Sequence, residues 1–131
     1  MKKIQFIYID LKETIEIHDH ILKGEGGLVG IKDKGQLDSI LEHIQNDDYY
    51  PDVFDKVTHI VYGIIKFHVF TDGNKRTALA LGAYFFGMNY SNALADKFII
   101  GMENVVVDVA AGKIDKDLLK EIIKAIFFEN E

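Results

Sequence analysis

From Ala78 to Met88 the chain runs without a charged residue, through Leu79, Leu81, Tyr84, Phe85 and Phe86. Read as a helix, this stretch is apolar nearly all round, so every face needs cover. It is far shorter than the roughly 20 residues that cross a bilayer. The cover must therefore come from the rest of the chain. The simplest arrangement is an all-α bundle of about six helices around one buried central helix.

Composition points the same way. The chain has one proline (Pro51), no cysteine, and 48% hydrophobic against 27% charged residues, which is globular rather than disordered composition. At 131 residues it fits a single domain, 1–131. Without cysteine, disulfide staples, zinc fingers, iron–sulfur clusters and thiol catalysis are excluded. The net charge of −6 argues against direct, sequence-independent DNA or RNA binding, which needs a surplus of Lys and Arg. After Met1-Lys2-Lys3 the apolar stretch is broken by Gln5 and Asp10 and shows no small-residue cleavage site. The expectation is a soluble, cytoplasmic protein with no membrane partner.

Along the chain, Ile4 to Ile9 is a short lead-in. Asp10 and Glu13 have capping-box spacing and start a helix whose face is Leu11, Ile15, His18 and Leu22, widened by Ile17 and Ile21. It should stop at Lys23, because glycines follow at 24, 26 and 27. The segment Gly24–Gly35 reads as a connector, and its length and glycine content also suit a mobile flap beside a ligand site. Asp33 and Gln36 repeat the capping-box spacing ahead of Leu37, Ile40, Leu41 and Ile44. A polar turn, Asn46–Pro51, precedes a third helix from about Val53 to Phe67. The central helix starts at Lys75, Asn89–Asn92 turns, and a fifth helix spans Asp96–Ala111 with Gly112 as its stop. Asp115 caps a sixth helix that should turn Leu118, Leu119, Ile122, Ile123 and Ile126 inward.

The chemistry concentrates between Lys66 and Thr77, where the third helix gives way to the central one. The first N–H groups of a helix lack intrahelical partners and lie at the positive end of the dipole, so they attract phosphate. Gly73 allows a nest-like turn and close backbone approach. Lys75 and Arg76 sit in the first turn, the wrong end for cations on dipole grounds, and a bound anion explains them better than helix stability does. Asp72 offers a hard oxygen suited to Mg²⁺ shared with substrate phosphates. His68 has the one nearby side chain whose ordinary titration range suits proton abstraction near neutral pH. Phe70 points into the core and supports the loop. Three cations against Asp72 alone make the Lys66–Arg76 stretch locally +2 on an acidic chain.

Elsewhere the histidines look unremarkable. His18-Asp19-His20 has metal-ligand composition, but residues two apart point to different sides of a helix, so His18 reads as a packed or capping residue. His43 and His59 fall at scattered helix positions without companions. Asp47-Asp48-Tyr49-Tyr50 reads as a polar turn.

The stretch His68-Val69-Phe70-Thr71-Asp72-Gly73-Asn74-Lys75-Arg76 resembles the Fic/Doc signature, His-x-Phe-x-Asp/Glu/Asn-Gly/Ala-Asn-x-Arg. Lys75 stands where most Fic adenylyltransferases carry a second glycine, and is the mark of the Doc (death-on-curing) branch. Gly26–Asp33, Leu37–Gln45 and Ala110–Ile114 are also Doc-like, so the likeness covers about Ile9 to Phe127. It implies a Fic-fold helical bundle with a glycine-rich flap between the first two helices. It further implies the toxin of a bacterial or prophage toxin–antitoxin pair, a kinase that phosphorylates a hydroxyl of elongation factor Tu with ATP and Mg²⁺ and so stops translation. A small Phd-like antitoxin would restrain it. In that scheme His68 is the general base and Asp72 holds Mg²⁺. Gly73, Asn74, Lys75 and Arg76 bind nucleotide phosphates, and Phe70 supports the loop.

Gly73 departs from the Doc pattern, which has Ala there, and agrees with Fic enzymes. Lys75 weighs more, because a long cation in place of glycine obstructs the usual Fic phosphate pose, whereas Ala and Gly differ by one methyl group. Gly73 keeps AMP transfer (adenylylation) open as an alternative, and a non-catalytic interaction module on the same fold is the second. No Ser/Thr-x-x-x-Glu-Gly/Asn self-inhibitory motif occurs: Glu103-Asn104 and Glu129-Asn130 are preceded four residues earlier by Ile99 and Ala125.

Overall fold

Five of the six helices begin on a side chain that accepts a hydrogen bond from their first turn: Asp10, Asp33, Asp52, Ser91 and Asp115. The helices are α1 (Leu11–Glu25), α2 (Lys34–His43), α3 (Val53–Phe67), α4 (Asn74–Asn89), α5 (Asn92–Ala110) and α6 (Lys116–Phe128). The computed structural model describes residues 5–129. The start of the N-terminal lead-in and Asn130 of the Glu129-Asn130 pair lie outside them. Among the described residues the protein is all-helical, with one isolated antiparallel bridge, Ile31 to Phe70, and no helix is long and apolar enough to cross a membrane.

α4 is the central helix, as its composition requires. Ala78, Leu81, Phe85 and Phe86 are fully covered, chiefly by α3 and α5, and α1 packs against it from another side. The α4–α5 approach is close. A Cβ placed on Gly82 would lie 2.6 Å from the Phe98 ring, so this crossing admits only glycine. Met102, Val106 and Val109 of α5, Val57, Ile60 and Ile64 of α3, and Leu119 and Ile123 of α6 complete the core. Each buried side chain of this size contributes about 1.5–3 kcal/mol through removal from water.

Several element ends differ from the sequence expectation. α1 runs one further turn-half to Glu25 before Gly26 closes it at φ 83°. The capping box of α1 forms in both directions, but at α2 only the Asp33 carboxylate bond to the Gln36 N–H forms (3.0 Å). The Asp33 N–H instead donates to Val69 O (3.0 Å). α4 continues to Asn89 and α5 begins at Asn92, four residues earlier than the apolar pattern suggests, because Ser91 caps Leu94 (3.1 Å). On α6 Leu118 faces solvent, 47% exposed, while Leu119 and Ile123 carry the packing. Leu118 lies at the edge of the apolar stripe that Leu119, Ile122, Ile123 and Ile126 form, so it takes the solvent side of the first turn.

Lys56 is fully buried within α3. Its ammonium donates to Ile44 O (2.6 Å) and to Asp47 Oδ1 (2.8 Å) and lies 5.3 Å from the Phe6 ring centroid. These partners satisfy a charge whose burial would otherwise cost several kcal/mol. They also tie the turn after α2 to the start of α3.

Candidate active site

α3 ends at Phe67 and its last turn closes on His68, which takes the left-handed conformation (φ 53°, ψ 53°). Among the described residues it is the one non-glycine residue with positive φ. A side chain held there costs roughly 1–2 kcal/mol of backbone free energy. The imidazole is exposed, and no described residue hydrogen-bonds to it.

The loop that follows is anchored from below. Val69 and Phe70 are fully buried. Asn74, at the start of α4, brackets Phe70: its Oδ1 accepts from the Phe70 N–H and its Nδ2 donates to Phe70 O, both at 2.9 Å. From α1, the His18 ring stacks on the Phe70 ring at 3.8 Å between centroids and 6° between planes. His18 Nε2 lies 2.8 Å from Asp72 O, and Nδ1 lies 3.1 Å from Asp19 Oδ1. The backbone of the loop is thus gripped by Asn74 at Phe70 and by His18 at Asp72.

The loop delivers the chain into α4 through Gly73, left-handed at φ 77°. Here the helix start has no side-chain cap, unlike the other five. Its leading N–H groups are therefore free to meet an anion. Lys75 and Arg76 extend from the same turn, both exposed. Arg76 forms an ion pair with Glu25 at the end of α1. A cavity of about 350 Å³ opens beside Asp72, Gly73, Lys75 and Arg76, with Glu25, Leu79 and Glu103 on its other walls.

Asp72 is exposed and ionised. Its Oδ2 accepts from the Leu28 N–H (3.2 Å) and its Oδ1 from the Gly73 N–H (2.9 Å), and these two bonds hold its carboxyl below the ordinary carboxylate range. Each oxygen keeps a further lone pair. A single hard carboxylate beside an anion-binding helix start fits Mg²⁺ shared with substrate phosphates and water. It does not fit an all-protein cage, and no group of three or more acidic, His or Cys side chains is poised for a metal among the described residues.

The glycine-rich segment after α1 is not a loose connector. It lies antiparallel along the loop: Thr71 N donates to Gly30 O (3.1 Å), and Lys32 N and Asp33 N donate to Val69 O (2.7 and 3.0 Å). Leu28 and Val29 project outward, 68% and 78% exposed. The flap therefore completes the Asp72 environment and presents an apolar edge beside it.

Asp72, Gly73, Lys75 and Arg76 line one cavity, Phe70 is buried beneath the loop, and His68 stands exposed at the end of α3, outside that lining. Asn74 differs. It is buried, and its side chain is committed to Phe70, so toward a phosphate it offers its backbone N–H alone. Sequence reasoning missed three contributors: His18, Glu25 and the Leu28 N–H. Of these only His18 carried a signal, as a polar residue on the inward face of α1.

The family model described as Fic/DOC family matches residues 8–86, which span α1 to α4 and the whole loop. The "Protein kinase doc" of Escherichia phage P1 is 26% identical over 124 residues, 92% of this chain and 95% of that protein. The "Toxin Doc" of Mycolicibacterium smegmatis is 31% identical over 114 residues, 82% and 88% of the two chains. A flap laid over a His-x-Phe-x-Asp-Gly-Asn-Lys-Arg loop, and relatives aligned nearly end to end, lead to one conclusion: this chain belongs to the Fic/DOC family, in its Doc branch.

Proposed function

We propose that this protein is a Doc-like toxin of a toxin–antitoxin system that transfers a phosphoryl group from ATP to a hydroxyl of elongation factor Tu, stopping translation. The observation that carries the reading is the uncapped start of α4, with Lys75 and Arg76 in its first turn and His68 exposed six residues before Asn74. The free N–H groups and the two cations seat the nucleotide phosphates. His68 takes the proton of the target hydroxyl as it attacks. Mg²⁺, held through Asp72, would neutralise charge on the transferring phosphoryl group. Little else is asked of the protein, because phosphoryl transfer depends mainly on positioning and charge neutralisation. A relative bearing the name of a protein kinase supports this choice, and the toxin relative supports a small Phd-like antitoxin as partner.

Gly73 favours a second reading, AMP transfer. At this position the backbone is left-handed, and a Cβ would approach Leu22 Cδ2 to 3.0 Å, so the turn is built for the glycine that Fic enzymes carry here. The two reactions separate cleanly. Incubated with elongation factor Tu, wild-type protein should transfer label from γ-labelled ATP. Label transferred from α-labelled ATP alone would establish adenylylation instead. If His68→Ala changed neither labelling nor toxicity, the fold would be acting as an interaction module.

A further inference from the structure

A second cavity, of about 610 Å³, lies between α2, α3 and the start of α6. It flanks Thr58, in the second turn of α3, so it sits roughly 15 Å along that helix from His68. None of its lining residues belongs to the loop described above.

Its wall contains a directed chain of hydrogen bonds. Lys116 Nζ lies 2.9 Å from His59 Nδ1, and His59 Nε2 lies 3.2 Å from His43 Nδ1. An ammonium can only donate, so His59 accepts at Nδ1 and carries its proton on Nε2. That proton goes to His43 Nδ1, which leaves the His43 proton on Nε2, at the exposed end. Burial first, then the nearby Lys116 and His43, push His59 down to about 4, so it remains neutral at ordinary pH. The chain thus ends in donors at both sides: the remaining ammonium protons of Lys116 and the Nε2–H of His43.

One buried group of this cavity is left without a partner. Thr58 is 2% exposed and lines it, yet its Oγ1 has no hydrogen-bond partner among the described residues. Most buried hydroxyls are paired, so this one calls for an explanation. Lys116 is half-buried against imidazole and the Tyr50 ring, and no described carboxylate reaches it within ion-pair distance. Two carboxylates also face the cavity. Asp55 is engaged by Lys120 at 2.7 Å, and Asp117 is exposed in the first turn of α6. The N-terminal dipole of α6 adds positive potential at Lys116.

We propose that this cavity binds a small molecule through an oxyanion, phosphate or carboxylate, seated on the Lys116 ammonium and hydrogen-bonded by Thr58. The ligand would supply the acceptor that the buried hydroxyl lacks and a direct ionic partner for Lys116, which Asp117 and Asp55 meet only through space. The aromatic faces of Tyr49 and Tyr50 leave room for a planar or apolar body beyond the anion.

The test is a titration of the full chain, followed by two-dimensional NMR, with inorganic phosphate in one series and citrate in another at ionic strength held constant with chloride. The backbone amides of Thr58 and Lys116 and the His43 ring should shift saturably. Lys116→Met should weaken that response by roughly tenfold or more, the size of one charge-assisted hydrogen bond. Thr58→Val keeps the side-chain shape, removes only the hydroxyl, and should weaken it by roughly threefold or more. Arg76→Ala, which disables the other phosphate site, should leave these shifts intact. A response to phosphate alone assigns a phosphate-bearing ligand, and one to citrate alone a carboxylate. The proposal is overturned if neither anion produces saturable shifts, if the shifts survive both Lys116→Met and Thr58→Val, or if Arg76→Ala abolishes them.

Discussion

His18 of α1 stacks on Phe70 of the motif loop with centroids 3.8 Å apart and planes 6° from parallel, while its Nε2 bonds to Asp72 O at 2.8 Å. One buried side chain thus sets both the depth of the loop and the direction in which Asp72 presents its carboxylate. His18→Phe keeps the stack and removes the hydrogen bonds. It should fold, lose about 1–3 kcal/mol because Asp72 O is left unsatisfied, and lower kcat with little change in KM for ATP. Steady-state kinetics beside a melting curve check this; an unchanged kcat would remove His18 from any positioning role.

Asn74 makes a comparable but purely structural bracket. Asn74→Ala leaves the buried Phe70 N–H without its acceptor and should cost about 1–3 kcal/mol. Calorimetry should show a fall in Tm of roughly 3–10 °C. Asn74→Asp keeps the acceptor for Phe70 N and should recover part of that loss.

At His68 function and stability oppose each other. Replacing it with glycine removes the side chain from a left-handed backbone, φ 53°, and should raise stability by about 0.5–1 kcal/mol. The same change removes the proposed general base and should lower transfer by roughly 10²–10⁴. Denaturant unfolding and labelled-nucleotide transfer on one preparation test both halves.

Glu25 competes for Arg76. Both partners are largely exposed, so Glu25→Gln should change stability by less than about 0.5 kcal/mol. Freed from the ion pair, Arg76 should bind nucleotide several-fold more tightly. Isothermal titration with ATP and Mg²⁺ measures that; an affinity unchanged or weakened would mean that Glu25 orients Arg76 rather than restraining it.

His59 makes stability depend on pH. Its folded pKa, about 4, lies below the ordinary 6.5, so between these values the unfolded chain binds a proton that the folded one does not. Its contribution is fully present above pH 6.5 and is lost as pH falls towards 4, on the order of 2–3 kcal/mol in all. Urea unfolding at pH 7 and pH 4.5 should show the loss, and His59→Gln should flatten it.

The sequence by itself determined the helices and the loop in which the proposed chemistry lies. Helix starts are legible because a cap and its partner lie three residues apart, as Asp10 and Glu13 do, and buried faces repeat every three or four residues. His68 to Arg76 are contiguous, so their chemistry is written in one stretch. Where the local signal was weaker, boundaries slipped: Ser91 starts α5 ahead of the apolar pattern.

Tertiary structure alone decided what meets across helices. His18 and Asp72 are 54 residues apart, and His43 and His59 are 16 apart on different helices. No spacing rule links such pairs, because their contact depends on how α1 crosses α4 and how α2 crosses α3. The same holds for Lys56, which looks like a surface lysine until Ile44 O and Asp47 close over it. The flap is the clearest case. Its glycines advertise freedom, yet backbone bonds with Val69 and Thr71 lay it against the loop, and those bonds carry no side-chain signature for a sequence to display; the Leu28 N–H then reaches the Asp72 carboxylate.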